Sequence, residues 1–194
     1  EVAAAQYIYD FLSGLPYFKE HPEDVGLLDI EGDAHERKVP YAFLNGEKRN
    51  TVVMMGHFDV VNAEVYGEAE ALAFTLGEEL EAALSKKALS DEARADMESG
   101  EWIWGRGAAD MKGGVAIHLA LFEQYAKKAQ EGTLPGCLFF MGVPDEESYS
   151  AGMRAGAEVL RRFQREYKLD YKLLIDPEPT NSAEGKQIMS IGSV

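Results

Sequence analysis

The stretch Thr51-Val52-Val53-Met54-Met55-Gly56-His57-Phe58-Asp59 decides how this chain is read. A β-branched and apolar run predicts a strand, and the run stops at a glycine, an imidazole and a carboxylate. In an extended segment alternate side chains share a face, so His57 and Asp59 point the same way, about 7 Å apart along the strand. That pairing suits a metal ion. Asp59 either ligates it beside His57 or accepts the other ring N–H of His57 and so sets its tautomer. Taken alone, the same residues also read as a strand that stops in a polar turn.

Working outward, Val39 to Leu44 is a second predicted strand, and Asn45-Gly46 after it is a tight-turn signal. The two strands are therefore expected to pair as a hairpin that feeds His57. Cys137 to Val143 is a nearly continuous apolar run, the pattern of a strand buried on both faces, and Tyr171 to Ile175 is a further strand. Helices are predicted over Ala3 to Leu12, closed by Gly14 and Pro16, and from Val115, with Val115, Leu119, Phe122 and Ala126 on one face. A third carries Met153, Gly156, Leu160, Phe163 and Tyr167 on one side. Strands alternating with helices of this size predict an α/β sheet covered on both faces. Residues 63 to 100 are acidic and alanine-rich, with Leu80 and Leu84 one turn apart and Ser90 available as a cap, and predict surface helices. Their carboxylates, among them Glu78, Glu79, Glu81, Asp91 and Glu92, read as a solvated face.

A chain of 194 residues suits one domain, and its 46% hydrophobic and 27% charged residues exclude a disordered tail or a membrane protein. No apolar run approaches the ~20 residues that span a bilayer, and no stretch resembles a signal peptide. A net charge of −15, from 34 acidic and 19 basic residues, excludes nucleic acid and anionic membrane as partners. The single cysteine, Cys137, excludes an intrachain disulfide and a thiolate zinc cluster. A cytoplasmic setting is expected.

In open α/β sheets ligands bind at the carboxyl ends of the strands. There this sequence places His57 and Asp59, Asp145-Glu146-Glu147, and Asp176 with Glu178, while Asp110 precedes a helix. Zinc accepts both carboxylate oxygen and imidazole nitrogen, and the four positive charges of two zinc ions would be offset by Asp110, Glu147, Asp176 and a bridging hydroxide. Glu146 and Glu147 project to opposite sides of an extended segment, so one can ligate while the other serves as a base. Hydrolysis needs that division: a metal that lowers the pKa of water and polarises a carbonyl, and a carboxylate that passes the proton to the leaving amine. The HExxH helix, the GxSxG elbow and the GK[ST] phosphate loop do not occur. His118 reads as structural, and His21 and His35 lie in loops without ligand spacing.

Four motifs, GHFDVV at 56–61, GRGAADMKGG at 105–114, PDEES at 144–148 and DPEPT at 176–180, resemble in order and context the dizinc aminoacylase and carboxypeptidase family. Its members include glutamate carboxypeptidase, acetylornithine deacetylase and succinyl-diaminopimelate desuccinylase. DMESGEWIWGRG at 96–107 further resembles the bacterial arginine-utilisation branch of that family. The resemblance implies a three-layer α/β/α aminopeptidase-like domain with a mixed central sheet, of which residues 1–194 are the N-terminal part, with an acidic helical insertion at about 63–100. It implies two zinc ions, with cobalt or manganese as substitutes. His57 would bind one ion with Asp59 orienting it, Asp110 would bridge both beside a cis Asp110-Met111 bond, Glu146 would be the general base and Glu147 would bind the other ion. For the remaining carboxylate, counting from Asp170 without a gap favours Asp176 and the EPT triplet favours Glu178; Asp176 is preferred.

The family's last ligand is a histidine beyond an inserted lid or dimerisation domain, and nothing here matches it. The sequence begins at Glu1 without Met and ends at Ile191-Gly192-Ser193-Val194, near where that insertion would start. It is therefore expected to be the first part of a longer protein, inactive alone, whose parent can form a homodimer through the lid. The implied activity is hydrolysis of an amide bond in an N-acyl amino acid or small peptide, in arginine or amino-acid catabolism. The alternative is a non-catalytic binding or assembly module on the same fold.

Overall fold

Alternation along the strands sorts apolar side chains into two cores, one on each face of a five-stranded sheet. The computed structural model describes residues 1–179, so Thr180 of the last motif and the terminal tetrapeptide lie outside the described residues. In chain order the helices are α1 (Val2–Gly14), α2 (Pro16–Glu20), α3 (Glu78–Leu84), α4 (Asp91–Ser99), α5 (Gly114–Gln130) and α6 (Ala151–Tyr167). The strands are β1 (Val25–Asp29), β2 (Lys38–Leu44), β3 (Asn50–His57), β4 (Cys137–Val143) and β5 (Asp170–Ile175). They lie in the order β1-β2-β4-β3-β5. The first two join antiparallel, and β3 and β5 run parallel to β4, so the sheet is mixed as the resemblance implies.

On one face Ala42, Leu44, Met54, Leu138 and Phe140 meet Ile8 and Leu12 of α1, Phe18 of α2 and Val115, Leu119 and Phe122 of α5. On the other, Val39, Phe43, Val53, Phe139 and Met141 meet Val159 and Phe163 of α6. The period of two along each strand delivers neighbours to opposite cores, which is why β4 has every residue buried. Phe163 lies 5.2 Å from Phe139 and 5.3 Å from Phe43, edge-to-face and tilted, the favoured aromatic geometry. Layers of helix on both faces give the three-layer α/β/α arrangement.

The expected hairpin does not form. Between β2 and β3 sits β4, because a strand apolar on both faces is most stable at the centre of the sheet, with partners on either side. Asn45-Gly46 belongs instead to a loop packed on residues 134–136: a Cβ on Gly46 would fall 2.1 Å from the Gly136 carbonyl oxygen, and Glu47 N–H donates to Leu134. Strand β1 lies where no strand was expected, and it includes Gly26. The missing Cβ of that glycine is what admits the Tyr41 ring, whose hydroxyl would lie 2.3 Å from such an atom. Pro16 opens α2 rather than only closing α1.

The 63–100 segment holds a 3-10 stretch, Glu64–Leu72, kinked at Gly67, followed by α3 and α4. It is anchored by fully buried Leu80, and the Ser90 hydroxyl accepts from Ala93 N–H at 3.2 Å as an N-cap. No helix among the described residues is long and apolar enough to cross a membrane. Phe139 is fully buried at the centre of the aromatic cluster, so Phe139→Ala is expected to lower stability by about 3 to 5 kcal/mol, read as a reduced urea midpoint.

Candidate functional site

The parallel register of β3 on β4 sets His57 level with Val143, and the Phe58 amide donates to the Val143 carbonyl at 3.1 Å. Whatever follows each strand therefore emerges side by side. Asp59, 7% exposed, uses this proximity: its Oδ1 accepts from Glu146 N–H and its Oδ2 from Glu147 N–H, both at 3.1 Å. On its other side, His57 Nδ1 lies 3.2 Å from the Asp59 carbonyl oxygen and 3.4 Å from Oδ1. These contacts engage Nδ1 and leave Nε2 facing the carboxylates, the ring atom that a metal would take.

Toward that Nε2 come three carboxylates from three elements. Asp110 Oδ1 is at 3.1 Å, Glu178 Oε1 at 3.5 Å and Glu146 Oε2 at 3.8 Å. Ligand atoms of His57, Asp110 and Glu178 all lie within 4.8 Å of one another. Asp176 is not one of the three. The reason is a bulge at Lys172: Thr51 pairs with Tyr171 but Val52 pairs with Leu173, which advances β5 by one residue. Carrying the Met54 to Ile175 pairing onward sets Glu178 level with His57. An ungapped count from Asp170 cannot see the bulge.

Asp110 reaches the group from a kinked turn, Ala108–Gly113, in which Asp110 and Met111 leave helical geometry and their peptide bond is cis. Met111, fully buried, lies beneath His57 and accepts the His57 amide through Sδ at 3.1 Å. Gly56 permits this approach, since a Cβ there would stand 2.9 Å from both Met111 Cε and Val115 Cγ2.

The charges are crowded. Burial pulls the His57 pKa down, but its contact with Asp59 and the charges of Glu178, Asp59 and Glu146 outweigh this and raise it to about 9. Glu147 is raised by burial and then by Asp110, and Glu178 by burial and by the neighbouring Asp176, Asp110 and Glu146, against the pull of His57. Burial likewise raises Asp176. Asp59 moves the opposite way: burial is overcome by His57 and the two amides, which hold its carboxyl below the usual range.

One residue of this region has no signal in the sequence. Arg37, just before β2, pairs its guanidinium with Asp145, a residue 108 positions away. Only the tertiary structure brings them together. His118 is buried with its ring facing Met55, burial lowers its pKa, and it takes no part in the group. His35 lines the cleft beside Glu147, and His21 lies elsewhere, near Glu23.

Imidazole and carboxylates gathered at the carboxyl edge of parallel strands, on a mixed sheet with helices on both faces, define a three-layer α/β/α domain with a candidate metal site at its strand ends. The chain belongs to peptidase family M20/M25/M40, whose family model matches residues 53–192. It is 36% identical over 180 residues to protein RocB of Bacillus subtilis (strain 168), covering 92% of this chain and 31% of RocB. It is 32% identical over 149 residues to succinyl-diaminopimelate desuccinylase of Xylella fastidiosa (strain M23), covering 76% of this chain and 33% of that enzyme. The chain thus spans about a third of the length of these relatives. Its fold matches an M20 family metallo-carboxypeptidase, Sso-CP2 from Sulfolobus solfataricus, with a TM-score of 0.54 over 93% of this chain and 33% of that one, at 16% identity.

Replacing Asp59 by Ala would leave the Glu146 and Glu147 amides without their partner and remove the Oδ1 contact of the His57 ring, which keeps the residue-59 carbonyl. The expected cost is on the order of 3 kcal/mol, seen as a lower thermal midpoint in metal-free buffer.

Proposed function

We propose that the protein is a metal-dependent hydrolase that cleaves the amide bond of an N-acyl amino acid or small peptide. The observation that carries this reading is the convergence of His57, Asp110 and Glu178 with Glu146 beside them. Ligand atoms about 2.1 Å from a tetrahedral zinc stand roughly 3.4 Å apart. The 3.1 and 3.5 Å separations from His57 Nε2 fit that spacing, and the excess of carboxylates around one imidazole calls for a cation.

His57, Asp110 and Glu178 would hold one ion, and Asp110 with Glu147 would contribute to a second. Glu178 takes the place of Asp176 because the β5 bulge brings it level with His57. Zinc is the ion of choice for this donor set, with cobalt or manganese as substitutes. Bound there, it would supply a Lewis acid that lowers the pKa of water and polarises the substrate carbonyl. Glu146 accepts the proton of the attacking water and returns it to the leaving amine. Asp59 keeps the His57 ring and the Glu146-Glu147 backbone in place through these steps. The cleft beside Asp59 and Glu147, lined by Val60, Asn62 and Tyr149, is where substrate would lie.

Because the relatives are about three times longer, the whole protein is the proposed catalyst. We place the lid, the last histidine ligand and any dimer contact outside residues 1–194, and the chain in the cytoplasm. The likeness of residues 96–107 to the arginine-utilisation branch directs the substrate search to N-acyl derivatives of arginine and ornithine.

Glu146→Ala in the full-length protein is expected to keep its metal, by elemental analysis, and to lose turnover on the order of 10²- to 10⁴-fold; retained turnover would sink the role of Glu146. Chelation should abolish activity on a panel of acyl-amino acids, and added zinc should restore it. Fewer than one bound ion per intact chain, with no amidase activity on that panel, would instead favour a binding module.

A further inference from the structure

The pair Glu146-Glu147 is held at two points, and only one of them is Asp59. The second is Asp145, whose left-handed backbone (φ 68°) turns the chain sharply out of β4. Its carboxylate is buried, at 5% exposure, next to the most acidic part of the molecule. Oδ2 accepts from Ala151 N–H at 3.0 Å, at the start of α6, and Oδ1 accepts from Arg37 Nη1.

Arg37 is itself pinned before it reaches Asp145. Its Nη2 donates to Asp33 Oδ1 at 2.6 Å, its Nε lies 3.1 Å from both Asp33 oxygens, and its backbone N–H donates to Asp33 Oδ2 at 2.9 Å. Glu1 adds a more distant contact at 3.8 Å. The Arg37 side chain is 11% exposed and that of Asp33 is 6% exposed, so the guanidinium lies in a fixed orientation with most of its donors committed. A planar fork that binds one carboxylate along Nε and Nη2 and presents Nη1 to another is a geometry an ammonium cannot copy.

We propose that Arg37 is a positioning residue of the hydrolytic site: through Asp145 it fixes the turn that aims Glu146 at the reacting water and Glu147 at the second metal. This rests on the hydrolase reading above. Arg37 touches neither Glu146 nor Glu147. Its effect passes through the backbone of Asp145, whose buried charge would otherwise lose its guanidinium partner. The turn would then reorganise to expose it. His57, Asp110 and Glu178 come from other segments and should be unaffected.

The test uses the full-length protein with Arg37→Ala and Arg37→Lys, read by steady-state kinetics and, independently of turnover, by cobalt titration followed through the visible absorption of the bound ion. In Arg37→Ala, kcat is expected to fall on the order of 100-fold with KM within about twofold. The first cobalt equivalent should bind as in wild type and the second about 10-fold more weakly. Arg37→Lys, which keeps the charge but not the fork, should lie between, and it carries the test if the alanine variant does not fold. Wild-type kcat and a wild-type second equivalent in either variant overturn the proposal, as does equal weakening of both equivalents, which would mark a general structural role. If wild type binds two ions but hydrolyses nothing on the panel, the hydrolase reading fails, and selective weakening of the second equivalent still supports Arg37 as the residue that positions Glu147. If wild type binds no cobalt, both readings fall.

Discussion

The carboxylate of Asp59 is the point on which the site depends. One oxygen takes the Glu146 amide and the other the Glu147 amide, while the residue also restrains the His57 ring. Amide bonds to a buried carboxylate are charge-assisted and stronger than neutral ones, and together with the His57 contact they lower the Asp59 pKa against the effect of burial. A single side chain thus ties the end of β3 to the end of β4. It can do so only because those strands run parallel and in register, so that their carboxyl ends emerge together.

Around that tie the molecule tolerates a charge distribution that a plain structural core would not. Asp110, Glu146 and Glu178 approach one imidazole, with Glu147 close by, and the pKa values of Glu147 and Glu178 rise as burial and mutual repulsion oppose ionisation. The apolar layers behind them provide rigidity. Met111 is wedged between Gly56 and Gly114, where added Cβ atoms would stand 2.9 and 3.2 Å from its Cε. Phe122, Phe140 and Phe18 continue the packing beneath α5. Cationic partners lie at the margin: Arg37 meets Asp145, and Lys112, whose pKa is lowered by burial against the pull of Asp59, lies nearby.

Much of this was legible in the sequence. The face Val115, Leu119, Phe122 and Ala126 is buried as its spacing demands, and the uninterrupted run Cys137 to Val143 is the fully buried central strand. His57, Asp110 and Glu146 were singled out by type and by position at strand ends, and the structure brings them together. What was not legible involves counting or distance. A bulge at Lys172 sets Glu178, not Asp176, level with His57, and nothing in the composition of Asp170 to Ile175 announces it. Arg37 and Asp145 are too far apart in the chain for any local pattern to connect them.

The sequence by itself therefore determined most of the elements, β1 and α2 excepted, and their chemistry, because the periods of helix and strand and the preferences of capping and turn residues are local properties of neighbouring side chains. Only the tertiary structure decided which strands are neighbours, placing β4 between β2 and β3 where a hairpin was expected, and which carboxylate faces His57. Strand order and register follow from how whole apolar faces are buried against one another. That is a property of the assembled sheet, and no local stretch of chain contains it.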